Sequence, residues 1–251
     1  MFAGTRLLLI LKVAASRAIL AGVLVGLPVG LLAPALAVAA EAPVAIPVAS
    51  FDVPKAAGPL QTAVLSGGCF WGMQGVFEHL TGVRQVLSGY SGGAKNTASY
   101  EIVSEGRSGH AESVQITYDP QQVSYGQILR VYFSVATNPT QLNRQGPDVG
   151  TQYRGVIFYA NDAQKQVAER YIAQLGKAGV YGGPIVTQLV PLQGFYPAER
   201  YHQDYLLLNP TSPYIVYNDL PKIRNFQKLL PALYQPRAVT VSAMKHTAMK
   251  Q

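Results

Sequence analysis

Apolar residues at Phe70, Met73, Val76, Phe77 and Leu80 recur at steps of three and four, which predicts a helix closed by Thr81-Gly82. Just before it, Thr62–Leu65 is a short apolar run ending at Ser66-Gly67-Gly68, which reads as a buried strand and a tight turn. Val83–Leu87 predicts a second strand, and the Gly-, Ser- and Asn-rich stretch Ser88–Ala98 a loop. Polar and apolar residues then alternate from Ser113 to Tyr118, with Val114, Ile116 and Tyr118 on one face, and Asp119-Pro120 stops the strand. Further on come a helix over 125–135, a polar loop over 138–150, a strand over 153–159, a helix over 162–175 and a strand over 185–192. Strands interleaved with amphipathic helices in about 170 residues predict one α/β or α+β domain, with a folded unit at 61–234.

Composition changes this picture mainly at the ends. The chain of 251 residues is 49% apolar and only 13% charged, and its net charge is +7. Arg6, Lys12 and Arg17 lie in residues 1–40 and Arg237, Lys245 and Lys250 in residues 235–251, with no acid in either stretch. The middle is therefore close to neutral, and a basic stripe for nucleic acid is not supported. Residues 18–40 carry no charge and end in the small-residue run Ala35–Ala40, which predicts an export signal over 1–40. An anchor retained in a membrane is the alternative, although Pro28 and Pro34 interrupt the run. Residues 41–60 are rich in Ala, Pro and Val without any period and read as a linker; 235–251 reads as a flexible basic tail.

The single cysteine, Cys69, excludes a disulfide scaffold, a cysteine-rich zinc module and an internal dithiol pair. It follows two glycines and opens a helix. There, unpaired backbone N–H groups and the helix dipole favour thiolate, with a pKa below that of free cysteine. A small buried core residue is the other reading. Phe70 and Trp71 follow directly and either line an apolar slot beside the sulfur or belong to the core; only Phe70 fits the inward period. Glu112 continues the inward parity of the 113–118 strand. Either it points to the core with a raised pKa, able to act as an acid, or it bends out to solvent. Tyr100, Tyr153 and Asp148 lie in or beside the polar loops, where tyrosine hydroxyls can hold a substrate oxygen or simply face water. The four histidines show no ligand spacing, so no metal is expected.

Five segments carry a resemblance: GCFWG at 68–72, GYSGG at 89–93, GHAE at 109–112, NRQGPDVGTQYR at 143–154 and FYPAERYHQDYL at 195–206. In this order, over roughly 62–210, the chain resembles the peptide methionine sulfoxide reductase A family. The resemblance implies a two-layer α/β sandwich of the α+β, ferredoxin-like type. It implies a peptide-methionine (S)-S-oxide reductase in which Cys69 attacks the sulfoxide sulfur and Glu112 protonates its oxygen. Tyr100 and Tyr153 would hydrogen-bond that oxygen with support from Asp148, while Phe70 and Trp71 hold the S-methyl group. Cys69 would be left as a sulfenic acid. Many relatives resolve this acid with a later cysteine; this chain has none, so an external thiol reductant, a thioredoxin-like protein or a small thiol, is expected to recycle it. No bound cofactor is expected. The partners expected are oxidised proteins and peptides or free methionine S-sulfoxide, acted on by a monomer exported to a bacterial periplasm.

Two other functions fit parts of the pattern. A thiol hydrolase would use Cys69 with His202 and Asn209 but would leave Glu112 and the tyrosines without a task. An exported module that binds methionine-rich or oxidised segments would keep the aromatic slot and have no need of Cys69.

Overall fold

The computed structural model describes residues 41–241. The export segment expected over 1–40 lies outside the described residues, and among the described residues no helix is long and apolar enough to cross a membrane. Among the described residues eight strands are formed: β1 (Gln61–Ser66), β2 (Val83–Ser91), β3 (Ala111–Tyr118), β4 (Arg144–Gln145), β5 (Asp148–Val149), β6 (Val156–Tyr159), β7 (Gln188–Pro191) and β8 (Phe195–Pro197). Six make one sheet in the order β7-β6-β1-β3-β2-β8, while β4 and β5 form a separate two-stranded ladder. Every pairing in the large sheet is antiparallel except β6 with β7.

The helices are α1 (Phe70–Glu78), α2 (Tyr100–Ser104), α3 (Tyr125–Val131, continued by a wide turn over Tyr132–Ala136), α4 (Asp162–Ala178), α5 (Tyr205–Leu208) and α6 (Leu220–Leu229). The chain order β1-α1-β2-β3-α3-β6 with the spatial order β6-β1-β3-β2 is the ferredoxin-like core expected of the α+β sandwich. Alternation along the strands decides the two layers. Ala63, Leu65, Val86, Val114, Ile116 and Ile157 face the helices in the main core, whereas Val64, Ala111, Val156 and Phe158 form a small cluster on the opposite face.

Local chemistry sets the helix ends. Ser124 and Gln127 form a reciprocal capping box at α3, Asn161 caps α4 through the Gln164 amide at 2.9 Å, and Gly179 closes α4 with φ 61°. Several elements differ from their sequence pattern: α2, β8 and α5 were not expected, and β4 and β5 form within the stretch 138–150 expected as loop. β2 runs on through Ser88–Ser91, expected as loop, because β3 pairs with that stretch on one side and β8 pairs with Gly89–Ser91 on the other. Gly89 permits this, since a Cβ there would lie 2.8 Å from Cε2 of Phe195. The strand expected over 153–159 begins only at Val156, after a tight turn over Thr151–Tyr153. α6, opened by Pro221 in its first turn, likewise has no counterpart in the sequence reading.

Residues 41–60 contain no helix or strand, but they are not a free tether. Ile46 is buried, Val44 N–H donates to the Ser134 carbonyl at 2.9 Å, and the Tyr171 hydroxyl donates to the Pro47 carbonyl at 2.6 Å. Asp52 accepts from Ser124 Oγ at 2.5 Å and from Gly126 N–H at 2.9 Å, at the first turn of α3. Alanine, valine and proline supply here a strap that lies in the grooves of the body. At the other end, Gln235 N–H and Val239 N–H donate to the carbonyls of His79 and Glu78 at 2.8 and 3.0 Å. Residues 242–251 of the expected tail lie outside the described residues.

Asp52 satisfies two donors at a helix start, so Asp52→Ala should cost about 1–2 kcal/mol. A lower urea midpoint with an unchanged slope checks this. An unmoved midpoint would mean that the strap is not coupled to folding.

Candidate active site

The turn between β1 and α1 is built from its glycines. Gly68 has φ 98°, and a Cβ on it would lie 2.6 Å from Cγ of Gln145. Gln145 is held in turn, its Oε1 accepting from Thr137 Oγ1 at 2.5 Å and from the Asn138 amide at 3.0 Å. The turn delivers Cys69 to the N-cap of α1, where it is 8% exposed. Glu112, on β3, is 2% exposed and accepts the Phe70 backbone N–H on Oε2 at 3.0 Å. The inward reading of its parity is thus the one the fold adopts. Burial pushes the Glu112 carboxyl up to about 8 despite the Phe70 hydrogen bond, and the charges of Asp148 and Asp219 add to the rise. It is mostly protonated at neutral pH.

The thiol does not behave as a helix start alone suggests. Burial, followed by the charges of Glu112, Asp219 and Asp148, holds Cys69 well above its ordinary value, and only the Trp71 backbone N–H pulls the other way. Three carboxyl groups and the loss of water outweigh the dipole of a nine-residue helix, so the resting group is a thiol.

Aromatic side chains wall the site. Trp71, one position off the inward period, is half-buried because its ring stacks on Tyr205 at 3.8 Å and 11° and meets Tyr214 edge-on at 5.8 Å. Its Nε1–H donates to His202 Nδ1 at 3.1 Å. Burial lowers the His202 pKa, which keeps that nitrogen free to accept. Phe70 lies 5.0 Å from His202 and 5.8 Å from Tyr90, while Tyr100 lies 4.5 Å from His202.

The polar side is assembled from distant segments. Tyr214 donates to Asp148 Oδ2 at 2.5 Å. Glu199 accepts the Tyr100 amide at 2.9 Å and the Tyr90 hydroxyl at 2.8 Å, which fixes the start of α2. Burial, Glu112 and Cys69 raise the Tyr100 hydroxyl; burial, Glu112, Asp148 and Cys69 raise that of Tyr153. All seven residues singled out in the sequence thus meet here: Cys69, Phe70, Trp71, Tyr100, Glu112, Asp148 and Tyr153. Sequence reasoning missed the supporting set of Gln145, Glu199, Tyr205, Tyr214, Asp219 and Lys222. The first three sit inside the motif segments. The last three lie beyond them, and only the i, i+3 spacing of an acid and a base, Asp219 and Lys222, could have pointed there.

Chemically, a buried thiol, a protonated carboxyl, two phenols and an apolar wall suit attack on a soft, partly apolar centre whose oxygen must be protonated as it leaves. Among the described residues no group of three or more His, Cys, Asp or Glu side chains is placed to hold a metal.

Comparison with known proteins follows this geometry. The family model described as peptide methionine sulfoxide reductase matches residues 61–232. The chain is 64% identical over 187 residues to "Peptide methionine sulfoxide reductase MsrA 2" of Mesorhizobium japonicum, covering 74% of this chain and 96% of that protein. It is 51% identical to the protein of the same name from Synechocystis sp., covering 67% of this chain and 78% of the relative. Among solved structures, methionine sulfoxide reductase A of Corynebacterium diphtheriae superposes with a TM-score of 0.53 at 33% identity, covering 69% of this chain and 89% of that one. Reduced Mxr1 of Saccharomyces cerevisiae gives 0.55 at 31% identity, covering 62% and 91%.

Burial of Glu112 also has a stability signature. Its folded pKa lies above the unfolded value of 4.5, so the folded state binds the proton more tightly. That contribution is whole below pH 4.5 and is lost as pH rises to about 8. Glu112→Gln removes it. Relative to wild type, the variant should gain about 2–5 kcal/mol between pH 5 and pH 8.5, read from denaturant midpoints. A constant difference across that range would contradict a buried, protonated Glu112.

Proposed function

We propose a single-cysteine chemistry for this chain, which belongs to the peptide methionine sulfoxide reductase A family and is an oxidoreductase that reduces methionine sulfoxide and so repairs oxidised methionine. The observation that carries the proposal is the seat of Glu112: a carboxyl at about 8, hydrogen-bonded to the residue that follows the only cysteine.

In the reaction, the sulfur of Cys69 attacks the sulfoxide sulfur, Glu112 protonates the oxygen, and the thiol proton restores Glu112. The protonated oxygen then passes to the Cys69 sulfur as the transient bond between the two sulfurs and the S–O bond of the substrate both break, which releases methionine. Cys69 ends as a sulfenic acid, oxidised by two electrons, and methionine sulfur is reduced by the same two. Tyr100 and Tyr153 hydrogen-bond the oxygen, Asp148 supports that cluster through Tyr214, and the rings of Phe70 and Trp71 hold the S-methyl group. The substrate is the S epimer, in proteins, peptides or the free amino acid.

A thiol attacks the sulfenic sulfur next, releasing water and leaving a mixed disulfide; a second thiol frees Cys69 as the external disulfide leaves. Because the chain has one cysteine, both thiols come from outside, from a thioredoxin-like protein or a small thiol. The site of work is the periplasm, on the strength of the charge-free run before Ala40, and a soluble mature form about four kilodaltons lighter on a blot is the expected sign of cleavage.

A peptide bearing methionine sulfoxide, incubated with dithiothreitol, should yield methionine with wild type and none with Cys69→Ser. Equal activity of the two proteins would overturn the assignment of Cys69. In single turnover, Glu112→Gln should slow sulfenic acid formation by about 10²–10⁴-fold, and the wild-type rate should fall as pH rises through about 8. An unchanged rate would remove Glu112 from the role of acid.

A further inference from the structure

We infer that His202 is a positioning residue: through Nδ1 it fixes the in-plane direction of the Trp71 indole and so sets the aromatic wall beside Cys69. The sequence offers His202 only to a thiol hydrolase, and the proposed reaction gives it no task. Phe70 and Trp71 are consecutive on α1, so the helix turns their side chains about 100° apart. The buried His202 ring, from the tight turn Arg200–His202, spans that gap, 5.0 Å from the Phe70 ring and 5.8 Å from the Trp71 ring. The Tyr100 ring at 4.5 Å and the Tyr201 ring at 4.2 Å hold it from α2 and from its own turn.

Two contacts divide the work of holding the indole. The stack on Tyr205, 3.8 Å apart and 11° from parallel, sets the plane of the ring but leaves it free to turn within that plane. The hydrogen bond from Nε1–H to His202 Nδ1 at 3.1 Å is directional and removes that freedom. An indole N–H can only donate, so Nδ1 is the acceptor and the neutral imidazole carries its proton on Nε2. Nε2 is buried and has no hydrogen-bond partner among the described residues. That is a cost an apolar side chain of similar size would not carry. What the imidazole adds to the packing is therefore one acceptor, and Trp71 takes it. The same tautomer leaves neither ring nitrogen to take a proton from a thiol, which removes His202 as the base of a hydrolase.

A fixed indole has a use in a site that must grip a small apolar group. A wall free to turn would widen the slot for an S-methyl group without moving Cys69 or Glu112. Its loss would therefore weaken binding more than the chemical step. This use rests on the reductase reading; the fixing of the indole does not.

Trp71 is the only tryptophan, so the fluorescence of the full-length protein reports on it alone. Leucine and asparagine share one branched shape, and only asparagine offers an acceptor, Oδ1, near the place of Nδ1. His202→Leu should therefore raise acrylamide quenching of the indole about twofold, and His202→Asn should restore most of the wild-type value. In single turnover with a peptide bearing methionine sulfoxide, His202→Leu should raise the half-saturating concentration about tenfold, with a limiting rate within about twofold of wild type. His202→Asn should recover most of that loss. Equal quenching in the two variants, no change in His202→Leu, or a loss confined to its limiting rate would overturn the inference. Should His202→Leu not fold, isotope-labelled wild type decides by magnetic resonance. Its single indole N–H should show a scalar coupling to a histidine ring nitrogen, and the absence of that coupling would sink the inference. Quenching and coupling need no sulfoxide, so a failure of wild type to reduce the peptide would overturn the reductase reading alone.

Discussion

The 3.0 Å hydrogen bond from the Phe70 amide to Glu112 joins the first turn of α1 to the start of β3. Two groups that are costly in isolation meet in it. A helix start presents N–H groups without partners, and a carboxyl that is 2% exposed has lost its water. Each answers part of the other's need. The helix amide does not make the carboxyl strongly acidic, because burial outweighs it, and so the acid keeps its proton at neutral pH. Cys69, one residue upstream, is placed by the same bond.

The rest of the fold supports this junction. β1 and β3 pair in a fixed register from Gln61↔Tyr118 to Ser66↔Ser113, and the register carries the end of β1 to the level of Glu112. A slip of one residue would turn Glu112 to the opposite face. The buried hydroxyls of Ser66 and Ser113, 2.7 Å apart, sit at that end of the ladder. From the other side, Gln145 fills the space left by Gly68, while Glu41 of the strap reaches the same loop through Asn138 and Gln141. The N-terminal strap is thereby connected to the catalytic turn through two side chains.

Much of this was legible in the sequence wherever one segment decides it. The period of Phe70–Leu80 and the alternation of 113–118 marked α1 and β3 and put Cys69 at a helix start, since helix and strand parity are local properties; parity left Glu112 open between core and solvent, and the Phe70 amide decides it. Trp71 breaking the inward period was the visible sign of its half-buried place against Tyr205. The ionisation of Cys69 was not legible. The helix start is local, but the carboxyls of Asp148 and Asp219 that oppose it arrive from segments 79 and 150 residues away. α6 was missed because its apolar face becomes meaningful only against α1. The strap was missed because a segment without a period can still be held by single hydrogen bonds and one buried isoleucine.

The single cysteine sharpens what the electrostatics must do. Where a second thiol is at hand, an oxidised nucleophile is quickly stored as a disulfide; on the proposed chemistry Cys69, the one cysteine of the chain, would wait for a partner from outside. A site in that position does better with a nucleophile that is quiet at rest and is activated within the substrate complex. Burial and three carboxyls supply the first condition. In the proposed reaction Glu112 supplies the second, because the proton it gives to the oxygen leaves a base beside the thiol at the moment of attack. The carboxyl that rests protonated becomes in that reaction, by giving up its proton, the base that takes the thiol proton, so activation waits for the substrate.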